Sequence, residues 1–193
     1  MTSIIKVDTI QDTAGNNIIN ENSNTITIGA SGDTTNIVGT LQNNGASVGG
    51  ANTPAFLANL SGDQTIGDNS YTKLTFNTEV FDTDNMFDHS SNYRFTPTTA
   101  GKYYVYVKGR YISGADYDNN VFNIYKNGSN YAEARNSNIY YNTCFIGVIV
   151  TFNGSSDYVE AYTQQGSGGN LNVSGGTTHQ GRAEFGAYKL IGV

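Results

Sequence analysis

No aromatic residue occurs before position 51, whereas all 14 Tyr and 9 Phe fall after it. Aromatic side chains supply much of the apolar area that a small core buries, so the two parts of the chain cannot fold by the same means. Everything beyond Ala51 has the material for a core of its own. The first part does not, yet it is patterned: Thr25-Ile26-Thr27-Ile28 alternates polar and apolar, and Ile37, Val38 and Leu41 follow a turn marked by Gly29, Gly32 and Asp33. Strands of this kind need identical neighbours to complete a core, which predicts a multi-chain β stalk. Residues 42–53, QNNGASVGGANT, are small and polar and read as a linker. The expected division is therefore residues 1–50 as anchor, stalk and start of the linker, and residues 51–193 as the head.

The head is expected to be all-β. Polar content is carried by Asn, Thr, Ser and Gly rather than by charge, with 23 Gly, 2 Pro and only 13% charged residues. Asn and Gly tolerate positive φ in tight turns, and Thr and Tyr suit pleated surfaces. The pattern predicts strands near Tyr71–Phe76, Tyr93–Thr96, Tyr103–Tyr111, Val121–Lys126, Cys144–Phe152, Tyr158–Tyr162 and Glu184–Ile191. Asn127-Gly128 and Asn153-Gly154 each lie between β-like runs, which predicts hairpins. Two strands are apolar on both faces. Phe145, Ile149 and Thr151 point opposite to Ile146, Val148, Val150 and Phe152, and Tyr104 and Tyr106 point opposite to Tyr103, Val105 and Val107. A sandwich strand with one wet face would alternate more cleanly, so something should cover the second face. A partner subunit is the economical candidate; a loop of the same chain is the alternative.

Several function classes are disfavoured. A formal net charge of -6 with no basic run speaks against a nucleic-acid partner. Met1–Asp12 has neither the cationic start nor the apolar core of a signal peptide, and the longest apolar stretch, Cys144–Val150, is too short for a membrane-crossing helix. Synthesis in a cytoplasm without membrane insertion is the expectation. Cys144, the single cysteine, sits in an apolar run and reads as a buried thiol. The two histidines, His89 and His179, lie in polar loop-like contexts with no nucleophile motif around the serines or Cys144, so no catalytic residue is assigned. Gly166-Ser167-Gly168-Gly169 lacks the Lys of a phosphate loop, and no cofactor is expected. Asp82-Thr83-Asp84 with Asp88, and Asp116-Tyr117-Asp118, offer oxygens but fit no twelve-residue calcium loop; solvated loop acids are the favoured reading and no metal is assigned.

The ordered series Phe76–Asp82, Asn92-Tyr93-Arg94-Phe95-Thr96-Pro97-Thr98-Thr99-Ala100-Gly101-Lys102-Tyr103-Tyr104, Val121–Gly128, Tyr158–Ala161 and Phe185–Leu190, opened by Pro54–Ala58, resembles the globular head of complement component C-one-q. The resemblance covers about residues 54–193. It implies an antiparallel jelly-roll sandwich of the tumour-necrosis-factor type, assembled as a parallel homotrimer. The chain departs from animal members in lacking a collagen-like arm, so their ligands do not transfer. Ile4–Asp12 with Asn24–Ala30 is similar to the start of fibre proteins from tailed phages, which implies a virion appendage docked on other virion proteins through its N-terminus.

These readings together predict a structural fibre component with a head for host-surface recognition of glycan or protein. A capsid decoration or head fibre with little receptor binding is the alternative, and a glycan-degrading enzyme comes last. Tyr104, Tyr106, Phe145, Ile149, Tyr162 and Tyr188 are assigned to core or trimer packing. Tyr117, Asp118, Asn119, Tyr140 and Tyr141, in the polar segments Ile112–Asn120 and Asn130–Thr143, are the candidate receptor contacts.

Overall fold

The structure is a computed structural model that describes residues 34, 36–43, 46–47, 52–112, 120–136, 143–176 and 181–191. The chain divides into two compact units, Met1–Gly49 and Gly50–Val193. In the first, β1 (Gln42–Asn43) and β2 (Ala46–Ser47) form an antiparallel pair, a short ordered element inside the stretch read as linker.

The second unit holds β3 (Ala55–Asn59), β4 (Gln64–Ile66), β5 (Thr72–Lys73), β6 (Thr78–Asp82), β7 (Phe87–Asp88), β8 (Arg94–Phe95) and β9 (Gly101–Gly109). It continues with β10 (Tyr111–Ile112), β11 (Asn120–Lys126), β12 (Ser129–Asn136), β13 (Cys144–Phe152), β14 (Val159–Gln164), β15 (Leu171–Val173) and β16 (Glu184–Lys189). Sheet I has the order β13-β9-β16-β3-β6. Sheet II has the order β12-β11-β14-β8-β7, with β5 also pairing β14, and a small third sheet runs β10-β15-β4. Every pairing between these strands is antiparallel, and no helix occurs among the described residues. Only β7–β8 and β11–β12 are neighbours in both chain and sheet; the other connections leave one sheet for another, as in a jelly roll.

The core is aromatic and joins both large sheets. Phe56 of β3 stacks on Phe87 and Phe95 of sheet II, with centroids 4.4 and 4.7 Å apart, and Phe185 meets Phe56 edge-on at 5.1 Å. Tyr103 is fully buried against Phe152, and its hydroxyl donates to Thr99 O at 2.8 Å. A buried phenol needs such a partner, and burial pushes its pKa up to about 12. Along β9, Tyr103, Val105, Val107 and Gly109 are buried while Lys102 is exposed and Tyr104, Tyr106 and Lys108 are half-buried: the alternation expected of a sheet with one face on a core.

Three sequence expectations need correction. Asn127-Gly128 does form a two-residue hairpin, both residues at positive φ (51° and 79°), with Lys126 opposite Ser129. Asn153-Gly154 does not. It connects β13 in sheet I to β14 in sheet II, and Asn153 Oδ1 accepts N–H bonds from Ser155, Ser156 and Asp157 at 2.9–3.1 Å to shape the crossing. The segment from Asn130 was expected to be loop, but Ser129–Asn136 is strand β12. Its core-side residues include only Ala132 and Ala134 as partly buried apolar groups, too small for a clear alternation signal. Finally, Tyr71–Phe76 pairs as a strand only at Thr72–Lys73, although Leu74 and Phe76 are fully buried.

Candidate functional site

Residues paired directly across an antiparallel register share a face, so the outward face of sheet I can be read as rows. One row runs Ala55, Tyr188, Tyr104, Ile149, and the next Phe81, Leu57, Gly186, Tyr106, Gly147. The third runs Thr78, Asn59, Glu184, Lys108, Phe145. The glycines in the middle row have a physical reason. A Cβ at Gly186 would lie 2.6 Å from Cζ of Tyr106, and one at Gly147 would collide with the Tyr104 hydroxyl. The rings therefore lie down over neighbouring strands instead of standing off the sheet. Tyr104 is 5.6 Å from Tyr188 and 6.1 Å from Tyr106 between centroids, and Tyr106 is 6.2 Å from Phe145.

This face remains open to solvent in its apolar groups. Phe145 is 53% exposed, Ile149 55%, Phe81 47% and Tyr188 39%. Covering a large apolar side chain fully is worth roughly 1.5–3 kcal/mol, so four half-exposed ones offer about half of that each. At the charged end of the face, Glu184 accepts from Lys108 Nζ and Arg182 Nε, both at 2.9 Å. Burial opposes ionisation of Glu184, yet the bonds from Lys108 and Arg182 outweigh it and hold the carboxyl below its usual value.

Five of the six residues assigned to packing, Tyr104, Tyr106, Phe145, Ile149 and Tyr188, thus come together on one solvent-facing surface rather than in the core. Tyr162 does not join them. It lies on the outward side of sheet II, stacked on Tyr125 with centroids 4.1 Å apart. Asn123 and Tyr125 of β11 pair with Tyr162 and Glu160 of β14, Glu160 pairs with Arg94, and Tyr162 pairs with Lys73. Lys73 Nζ bonds Glu160 Oε1 at 2.6 Å and sits 5.9 Å from the Tyr162 ring, while the Arg94 guanidinium lies 4.5 Å over Tyr158. Tyr71 lies two residues before Lys73, the register partner of Tyr162, and is 45% exposed, which places it on the same side. Burial, then the nearby Tyr71 and Glu133, push the Tyr125 phenol up. Single-strand reading missed Tyr71, Tyr125 and Tyr158 as a group. The period-two spacing of Tyr158, Glu160 and Tyr162 was the available signal.

The candidate receptor contacts Tyr117, Asp118, Asn119, Tyr140 and Tyr141, and with them Asp116 and His179, lie outside the described residues. The flanks Asn120 and Asn136 are register partners at one end of the β11–β12 pair. Cys144 is buried, and burial raises its thiol pKa, which leaves it a poor nucleophile. His89 Nδ1 is 2.6 Å from Glu79 at the surface. The acids of the Asp82–Asp88 segment hold loops: Asp88 accepts N–H bonds from Ser90, Ser91 and Asn92, and Asp82 from Asp84 and Phe87. Among the described residues, no group of three or more metal-ligating side chains gathers.

No family model matches this chain, and no curated protein matches it as a relative. Solved structures do. The vertex protein P5 of phage PRD1 matches at 14% identity and a TM-score of 0.55, over 73% of this chain and 99% of that one. Murine APRIL matches at 12% identity and a TM-score of 0.51, over 70% and 99%. The globular domain of zebrafish complement 1qA matches at 16% identity and 0.49, over 72% and 98%, a score too low to add weight. At these identities the likeness establishes fold and nothing finer. The fold so shown is an antiparallel jelly roll.

Proposed function

We propose that this chain is a structural virion component, a fibre-like appendage that docks on other virion proteins through residues 1–50. Its head assembles as a parallel homotrimer over the outward face of sheet I and turns to the host surface for recognition. The observation that carries the reading is the aromatic face itself: Tyr104, Tyr106 and Tyr188 laid flat over glycine-bearing strands, with Phe145, Ile149 and Phe81 half-exposed beside them. Exposed apolar patches on this scale mark interaction surfaces. The order of three comes from the resemblance to C-one-q and tumour-necrosis-factor heads, and the virion setting is supported by the fold likeness to the PRD1 vertex protein P5.

That likeness to a vertex protein also favours a second reading, a capsid-vertex decoration that contributes little receptor binding. Deletion of residues 1–22 separates anchoring from the rest. Under either virion reading, particles should lose the protein while the head stays soluble and β-rich by circular dichroism. Normal incorporation of the truncated protein would remove the anchoring role.

A further inference from the structure

The outward face of sheet II has a different chemistry. Its rings are phenols, Tyr71, Tyr125, Tyr158 and Tyr162, and each sits beside a fixed polar group rather than an aliphatic one. Lys73 and Glu160 form an ion pair next to Tyr162, Arg94 lies over Tyr158, and Glu133 and Arg135 pair on the neighbouring strand. Among the described outward residues of β5, β8, β11, β12 and β14 there is no exposed aliphatic side chain. Beneath them Asn123 is fully buried. Its Nδ2 reaches Asn130 Oδ1 at 3.3 Å and Glu133 Oε2 at 3.4 Å, while its Oδ1 has no hydrogen-bond partner among the described residues. A buried acceptor left unmatched costs free energy unless a donor reaches it.

We infer that this phenol cluster is a binding site for a neutral saccharide. A pyranose ring has an apolar C–H face and a rim of hydroxyls that both donate and accept. Phenol faces suit the first. The second needs donors and acceptors held at fixed positions, which Lys73, Glu160, Arg94 and Glu133 supply. Lys73 is paired with Glu160 and Arg135 with Glu133, and the one further charge, Arg94, lies over the Tyr158 ring, so the net charge of the group is a single positive one and gives little selection for an acidic glycan. The exposed aliphatic and phenylalanine surface that a tightly buried protein interface would use lies on sheet I instead. The inference deepens the recognition half of the function proposed above and rests on it. An assembled head would present several copies, so weak single-site affinity sums on a repeated surface glycan.

The test applies the full-length protein to an array of neutral oligosaccharides built from hexose and N-acetylhexosamine units, with sialylated and sulfated glycans for comparison. A neutral glycan should be retained, and Tyr162→Ala should weaken it roughly tenfold or more with the oligomer unchanged in light scattering. Tyr71→Ala, at a 45% exposed position where folding is not at stake, should also weaken it and carries the test if Tyr162→Ala does not fold. Retention of charged glycans only, or of neutral glycans equally by wild type and variants, would overturn the site. So would an empty array. Cells still bound by a protein that gives an empty array would leave the recognition role standing with its site elsewhere; absence of cell binding as well would sink both.

Discussion

The two large sheets share one core but present opposite kinds of outer surface. On sheet I the middle of the outward face is aromatic and aliphatic, glycines let the rings lie close to the backbone, and charge lies towards the ends, the Lys108–Glu184–Arg182 group at one and Lys102 at the other. On sheet II the outward rings are all tyrosines, and each is interleaved with an ion pair, a guanidinium or an amide. Apolar surface gains free energy by leaving water altogether, so sheet I is suited to permanent cover by a flat partner. Interleaved phenols and paired charges lose less by staying wet and can exchange water for a hydroxylated ligand.

The strongest way to break that contrast is a charge on the outward face of sheet I. Ile149 is more than half exposed, so Ile149→Asp should cost the isolated fold little. In an assembled interface the same carboxylate would be buried without a partner, at a cost of several kcal/mol. Sedimentation should show association weakened by roughly a hundredfold or more, while saccharide binding per chain at sheet II is kept. An unchanged oligomer would place the interface elsewhere.

A smaller effect sharpens the description of sheet II. Asp88, at the edge strand β7, is held well below the ordinary aspartate range, first by the N–H of Ser91 and further by Asn92 and Ser90. The loop it shapes also receives Lys73, whose Nζ donates to Asn92 O at 3.3 Å. Because the folded-state value lies below the unfolded one, the stabilisation is complete above about the model-peptide value of 3.8 and is lost as pH falls towards the folded value. Asp88→Asn should therefore lower the melting temperature at neutral pH, with the gap to wild type closing below about pH 4. A gap of constant size down to low pH would mean that the carboxylate's charge contributes nothing.

How much of this was legible in the sequence depended on strand length. β9 and β13 are long and apolar on both faces, so the outward set Tyr104, Tyr106, Phe145 and Ile149 could be read by counting twos. Tyr188 joined them once β16 was recognised. The tyrosine cluster of sheet II could not be read in this way, because it depends on the pairing of β11 with β14 and of β14 with β5 and β8, which no single segment encodes. The same limit put Tyr162 in one group with residues of the other sheet. Strand β12 was hidden for a local reason, since alanines mark its core side and polar residues its other side. The short strands β4, β5, β7, β8, β10 and β15 span two or three residues each, too few to show a period at all.

If copies of this chain cover the sheet I face as proposed, the protein in solution is an oligomer. Multi-angle light scattering on the purified full-length protein at micromolar concentration measures it without assuming any partner. A single species with the mass of three chains is expected, and a stable species with the mass of one chain would contradict the proposed cover.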